Sequence, residues 1–342
     1  MTRVLVTGST GGLGANLVEA LNRRGFEVVG LRRSTSPTDA IWDLEMETVI
    51  GDILEPDTLP AALDGVAWVF HAAAIADDWH YPARVVYRTN VEGTRNVLAA
   101  AMQAGVERVV FTSSAMALGA PSPGKPLLNE GDHFNLDPRY WPYGYSKHLA
   151  EQVLAEFVAQ GMHAVTVLPS AIMGPRDVKF ISGELLVRVL KRQVFPLPHG
   201  GLNFIDMRDC AEAHIAAAER GRPGERYVLA GHNVTHREAL RVVGDVIGVE
   251  PRIVTIPPWV LPPLARLVAL LHRVGIHLII DPGRILMSSK FMYYDNSKAV
   301  RELGLSIRPL VDSVRDAYRW YLQSSYLEKR GVRVHPQSMP GG

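Results

Sequence analysis

Tyr143-Gly-Tyr-Ser-Lys147 sets a phenol and an ammonium four residues apart. On a helix that spacing puts both on one face. A free tyrosine has a pKa of about 10, too high for efficient proton exchange at neutral pH. A neighbouring Lys⁺ favours the phenolate and lowers that value. Tyr143 is therefore the candidate acid–base, whereas Tyr145 falls on a different face from Lys147. Upstream, Thr112-Ser113-Ser114 closes an apolar run with a hydroxyl cluster at a carboxyl end of the sheet, the edge where open α/β sheets bind ligands.

A second constellation lies near the start of the chain. Thr7-Gly-Ser-Thr-Gly-Gly-Leu-Gly14 places Gly8, Gly11 and Gly14 at a strand–helix junction. Gly8 permits a tight turn, Gly11 lets backbone approach a pyrophosphate, and Gly14 allows close helix–strand packing. The free N–H groups of the following helix complete an anion site, so Gly8, Thr10, Gly11, Gly12, Leu13 and Gly14 are the candidate phosphate-binding stretch. The alternative is a purely structural turn. Specificity between dinucleotides is usually set where the second strand ends. There the sequence has Arg32-Arg33 and no acid before Asp39. Guanidinium groups at that point suit a 2′-phosphate, which favours NADP(H), with NAD(H) as the alternative; the bland reading is a solvated arginine pair. After the third strand, Gly51-Asp52-Ile53 offers a carboxylate that either accepts from an adenine amino group or caps the helix that follows.

The elements that must position these groups alternate strand and helix. Apolar runs at Arg3–Thr7, Phe26–Leu31, Thr48–Ile50, Val66–His71, Val106–Thr112 and Ala164–Leu168 read as strands. Helical patterns at Leu13–Arg24, Val85–Ala104 and Tyr145–Gln160 separate several of them. Continuous apolar strands alternating with helices predict an α/β fold, a doubly wound parallel Rossmann sheet covered on both faces. From Ser170 onward prolines and glycines thicken and the alternation stops, which predicts a smaller C-terminal substrate-binding lobe. The expected division is 1–170 with 206–230 returning to it, a lobe of 171–205 and 231–327, and a flexible tail over 328–342. Thr235-His-Arg-Glu238 is a capping box ahead of a helix to about Ile247.

These motifs resemble those of the extended short-chain dehydrogenases/reductases, the group with TGxxGxxG, a serine and YxxxK. The resemblance covers residues 1 to about 325. It extends to His71-Ala-Ala-Ala74, Asn90-Val-Glu-Gly-Thr94, Pro169-Ser-Ala-Ile-Met-Gly-Pro175 and Phe204-Ile-Asp-Met-Arg-Asp209. Within the group the chain is most similar to the dihydroflavonol-reductase-like and hydroxysteroid-dehydrogenase-like branch. The resemblance implies that Ser114 bonds the substrate oxygen, with Ser113 as its nearest competitor. It implies that Tyr143 exchanges the proton, and that Lys147 lowers the phenol's pKa and holds the nicotinamide ribose. Ala72, Ala73 and Ala74 would run along the cofactor, and Pro169 to Ile172 would border the nicotinamide. Asn90 would orient the site or serve as a structural helix amide. A homodimer is also implied.

Composition narrows the rest. The 342 residues carry 36 Lys+Arg against 35 Asp+Glu, a formal charge of +1 that disfavours a nucleic-acid partner. A single cysteine, Cys210, excludes an intramolecular disulfide framework, and the twelve histidines lack metal-ligand spacing. The apolar stretch Trp259–Ile280 is interrupted by prolines, arginines and histidines, so it reads as a packed or pocket-lining helix of the second lobe, not a span; membrane-surface or partner contact is its alternative. With no leader pattern at the start, a soluble cytoplasmic protein is expected. Trp79, Tyr81, Met116, Trp141, Met173 and Phe180 are candidate walls of an apolar pocket. The leading expectation is a reductase or dehydrogenase of an apolar carbonyl or alcohol. A sugar-nucleotide epimerase or dehydratase with retained NAD, using Arg176, Arg188, Arg192 and Arg208, is the second. A non-catalytic dinucleotide sensor is the third.

Overall fold

The computed structural model describes residues 1–76, 81–122, 124–275, 282–324, 326–329 and 331–332. In chain order its strands are β1 (Arg3–Thr7), β2 (Glu27–Arg32), β3 (Glu47–Ile50), β4 (Trp68–His71), β5 (Arg108–Thr112), β6 (Ala164–Pro169), β7 (Ala171–Met173), β8 (Val194–Leu197), β9 (Gly201–Asp206), β10 (Arg226–Leu229), β11 (His232–Thr235), β12 (Arg252–Thr255) and β13 (Phe291–Met292). Its α-helices are α1 (Gly12–Arg23), α2 (Pro60–Leu63), α3 (Ala83–Tyr87), α4 (Gly93–Gln103), α5 (Pro142–Ala159), α6 (Gly183–Leu190), α7 (Met207–Arg220), α8 (His236–Ile247), α9 (Leu261–Arg273), α10 (Pro282–Met287), α11 (Ser297–Leu303), α12 (Leu310–Gln323) and α13 (Tyr326–Lys329).

Seven strands form one sheet in the order β10-β6-β5-β4-β1-β2-β3. Every pairing in it is parallel. The period of two along a strand explains its two cores. Val4 and Val6 of β1 face one side, where they meet Leu17 and Leu21 of α1 and Ile215 of α7. Leu5 faces the other side, with Leu98 of α4 and Leu154 of α5. Both faces are dry, which is why these strands are apolar throughout. The strand order reverses between β1 and β4, so the ends Thr7 and His71 border the crevice where such sheets take ligands.

The glycine turn lies at that reversal and is needed there sterically. Gly8 has φ +74°, and a Cβ on it would sit 2.8 Å from the Ala73 amide nitrogen. A Cβ on Gly14 would sit 2.1 Å from the Gly8 carbonyl oxygen. Neither neighbour is a side chain that could swing away. We expect Gly14→Ala to lower stability by about 3 kcal/mol, the upper range for overpacking. An unchanged urea midpoint would contradict this packing.

Outside the main sheet, β9 pairs with β11 antiparallel and with β7 and β13 parallel, and β8 pairs with β12. A third core joins Leu186 of α6, Leu240 of α8 and Tyr318 and Tyr321 of α12. The capping box closes as expected, Thr235 Oγ1 accepting from the Glu238 amide while the Glu238 carboxylate accepts from Thr235 N. Two sequence expectations change. The helix expected over Val85–Ala104 divides into α3 and α4 about a π turn at Arg88–Glu92. The helix expected over Trp259–Ile280 is α9, begun by prolines in its first turn where their missing N–H costs nothing; residues 276–280 lie outside the described residues.

Candidate active site

The turn after β1 fits a dinucleotide phosphate group. Gly11 is the N-cap of α1 in extended conformation and its amide bonds back to Gly8 O at 3.0 Å. The first turn has no side-chain cap and no acidic residue, which suits its free N–H groups to an anion. Thr10, Gly11, Gly12 and Leu13 are partly exposed along this turn and Gly14 is buried beneath it. Ala73 donates its amide to Thr7 Oγ1 at 3.2 Å, and Ala72 donates to Thr7 O, so 72–74 run beside the turn.

At the end of β2, Arg32 is half-buried and Arg33 exposed. Neither forms an ion pair among the described residues; Arg32 donates only to the Arg33 carbonyl at 3.3 Å. Asp52 Oδ1 accepts from Leu54 N at 2.9 Å, which makes it at least a turn-former after β3. Ile53 is buried, packed over Gly93 at the start of α4, with its carbonyl taken by Asn96. Pro169 is buried at the end of β6, and Ile172 lies half-buried in β7, paired with Ile205 of β9.

Helix α5 begins at Pro142, so Tyr143 and Lys147 both lie in it, one turn apart. Its first turn presses onto the loop after β5: a Cβ on Gly144 would meet the Met116 carbonyl oxygen at 2.9 Å. Lys147 is buried, its Nζ donating to Thr112 O at 2.8 Å and lying 5.0 Å from the Phe111 ring centroid. Burial lowers its pKa to about 7, a fall that the negative charge of Glu151 partly opposes. Ser114 follows two residues after Thr112 and caps the short 3-10 turn Ala115–Leu118, its Oγ accepting from Met116 N at 3.2 Å. That bond uses a lone pair and leaves the hydroxyl proton to donate. Tyr145 is occupied elsewhere, packed among Tyr87, Phe134 and His148.

Two buried networks hold this arrangement. Thr94 Oγ1 donates to Asn90 O at 2.7 Å, so His71 Nε2 must donate to Thr94, at 3.0 Å. His71 Nδ1 then accepts from Thr7 Oγ1 at 2.8 Å. Burial, aided by the Lys147 charge, lowers the His71 pKa to about 3, so the ring is neutral. Asn90, inside the π turn, accepts from Ile75 N at 2.8 Å and donates to Ile75 O at 3.0 Å and Ser146 Oγ at 2.9 Å. Ser146 in turn donates to Tyr143 O. Asn90 therefore ties the loop after β4 to the start of α5.

The second network went unnoticed in the sequence. Glu151, one turn beyond Lys147, accepts from Ser113 Oγ and lies 2.9 Å from Arg226 on β10. Burial raises the Glu151 pKa against the pull of Arg226. Ser113 is thereby committed to Glu151, which distinguishes it from Ser114. The i,i+4 spacing from Lys147 was the available signal.

A family model, the NAD dependent epimerase/dehydratase family, matches residues 4–230. The chain belongs to this family. As an extended short-chain dehydrogenase/reductase it is an NAD(P)-dependent oxidoreductase. It is 36% identical to a protein of Synechocystis sp. provisionally named dihydroflavonol 4-reductase, over 94% of this chain and 95% of that one. It is 30% identical to a Stigmatella aurantiaca protein named 4-hydroxy-2-methyl-3-oxo-4-farnesyl-3,4-dihydroquinoline-1-oxide ketoreductase, over 93% and 96%. The crystal structure of gox2253 superposes with TM-score 0.85 at 35% identity, covering 95% of this chain and 99% of that one.

On the substrate side of this family member, the expected pocket walls divide. Met173 and Phe180 are buried core residues, Phe180 stacked on Tyr321 at 4.7 Å between ring centroids. Met116 and Trp141 are partly buried and Tyr81 exposed, so these remain wall candidates; Trp79 lies outside the described residues. The arginines also divide. Arg176 is buried and bonds Asp43, Glu19 and Ala40 O, and its guanidinium holds the Asp43 carboxyl below the usual range. Arg208 bridges Asp206 and Asp316 at 2.8 and 2.7 Å. Arg188 lies 4.6 Å over the Phe195 ring, and Arg192 is exposed. Cys210 is buried with its thiol pKa pushed up, which suits packing and not nucleophilic work.

Proposed function

We propose that this oxidoreductase uses NADP(H) to interconvert a carbonyl and an alcohol on a largely apolar small molecule, with Ser114, Tyr143 and Lys147 as its catalytic residues. The observation that carries the reading is the buried Lys147, one helical turn from Tyr143 and held on the carbonyl of Thr112, two residues before Ser114. A nicotinamide dinucleotide, when bound, supplies or takes the hydride at the reacting carbon. Gly8 to Gly14 hold its phosphates, Arg32 and Arg33 its 2′-phosphate, and Ala72, Ala73, Ala74, Pro169 and Ile172 border it. Asp52 and Ile53 flank the adenine end, Ile53 through its backbone.

In reduction, Ser114 Oγ–H and the Tyr143 hydroxyl both donate to the carbonyl oxygen. As negative charge grows there, the Tyr143 proton passes to it and the alcohol forms. The phenolate left behind is stabilised by the Lys147 ammonium. In oxidation the same proton returns to Tyr143.

Support for an apolar substrate over a sugar nucleotide comes from the arginines. A diphosphate needs free guanidinium groups, and Arg176 and Arg208 are spent on internal carboxylates. A sensor role has less support still, because burying an ammonium is costly where it does no chemistry. The reading assigns cofactor binding to 1–170 with 206–230, and substrate binding to 171–205 with 231–327. It takes the enzyme to be a homodimer, on the family resemblance, and a cytoplasmic protein, as the sequence reading expects. Among the described residues no helix is long and apolar enough to cross a membrane.

Titration of the purified, cofactor-stripped protein with NADPH and NADH tests the cofactor assignment. Tighter binding of NADPH is expected. Tightly retained NAD⁺ would replace this reading with the epimerase one.

A further inference from the structure

Helix α9 is apolar on two opposite faces, and one of them is uncovered. Leu261, Ala265 and Val268, at i, i+4 and i+7, are buried with Ile285 of α10. At 3.6 residues per turn, Leu267, Leu270 and Val274 fall on the far side. They are 53%, 56% and 64% exposed, and Trp259, just ahead of the helix, is 75% exposed. A surface helix ordinarily presents polar residues on that side. Single exposed leucines need no account, but three aliphatic residues along one face of a helix, with an exposed tryptophan in the turn that leads into it, do.

The charges beside this stripe have one sign. Arg266 and Arg273, seven residues apart, run along one edge of it, and neither pairs with a carboxylate among the described residues. From 251 to 275 the sequence contains Arg252, Arg266 and Arg273 and no aspartate or glutamate, within a chain of formal charge +1. An apolar stripe edged by arginines, with a tryptophan at one end, has the chemistry of a helix lying in the headgroup layer of a bilayer. A second copy of the chain fits this face poorly. In a two-fold dimer the patch would meet itself and bring like charges together with no acid to neutralise them.

We propose that α9 docks the protein onto the surface of a membrane containing anionic phospholipids. Trp259, Leu267, Leu270 and Val274 enter the boundary between headgroups and acyl chains, and Arg266 and Arg273 pair with lipid phosphates. The docking is independent of the proposed reaction.

The test is co-sedimentation of the full chain with phosphatidylcholine vesicles, with and without phosphatidylglycerol at roughly one lipid in three, at low and high salt. Binding is expected to the anionic vesicles, weakened by salt and much lower on phosphatidylcholine alone. The Trp259→Ala, Leu267→Ser, Leu270→Ser variant should lose it. Arg266→Gln with Arg273→Gln should lower partitioning roughly 25-fold, about fivefold for each arginine. Failure of the wild-type chain to bind anionic vesicles would overturn the proposal, whatever the variants do. So would binding that every variant retains, or a lipid-free dimer that the leucine variant dissociates in place of vesicle binding.

Discussion

Replacing Tyr143 with phenylalanine is expected to lower kcat by about a thousandfold while NADPH still binds. The substitution removes one hydroxyl, the proton that balances the charge arriving on the substrate oxygen. General acid–base groups of this kind contribute about 10² to 10⁴ in rate. Ser114 still donates one hydrogen bond, so a residual rate remains. Cofactor affinity survives because Lys147 is seated on Thr112 O, independently of the phenol. The bond from Ser146 to the Tyr143 backbone carbonyl is untouched by the substitution. Tyr145→Phe is the control, since that ring packs against Phe134 and Tyr87 away from Lys147. Steady-state kinetics with NADPH and an apolar ketone check both variants. Near-normal turnover by Tyr143→Phe would remove the proposed acid.

Removing both arginines at the end of β2 should separate the two cofactors. A charge-assisted hydrogen bond contributes roughly 1.5–3 kcal/mol when one partner's removal leaves the other unpaired. Arg33 is exposed and Arg32 half-buried, so solvent screening holds the loss below the sum of two such bonds. We expect Arg32→Ala with Arg33→Ala to weaken NADPH about 30-fold and NADH less than about threefold. Neither side chain is used in an ion pair among the described residues, so the fold itself should not suffer. Fluorescence titration of both cofactors measures this. Equal weakening of the two would refute the 2′-phosphate assignment.

Much of this architecture was legible because its signals are local. The apolar run at Arg3–Thr7 is a strand with those bounds, since a strand buried on both faces needs no partner to be recognised. The glycine triplet and the Tyr143–Lys147 spacing likewise carry their geometry within a few residues. What was not legible depends on distant neighbours. Arg176 finds Asp43 across 133 residues and Arg208 finds Asp316 across 108, so both read in the sequence as free cations. Glu151 meets Arg226 only because β10 joins the sheet beside β6. Phe180 and Met173 looked like pocket walls because large apolar residues have one signature in a core and in a cleft. The π turn around Asn90 has no periodicity distinct from the helices it joins; it follows from the bonds Asn90 makes to Ile75 and Ser146.

The most direct test of the account follows a labelled hydride. The protein would be given NADPH carrying deuterium at both C4 positions of the nicotinamide and an apolar ketone, and the alcohol analysed by mass spectrometry. The account predicts one deuterium on the carbinol carbon for each NADPH consumed, lost together with turnover in Tyr143→Phe. Unconsumed NADPH across a panel of apolar ketones, alongside epimerisation of a sugar nucleotide with no net change in cofactor, would contradict it.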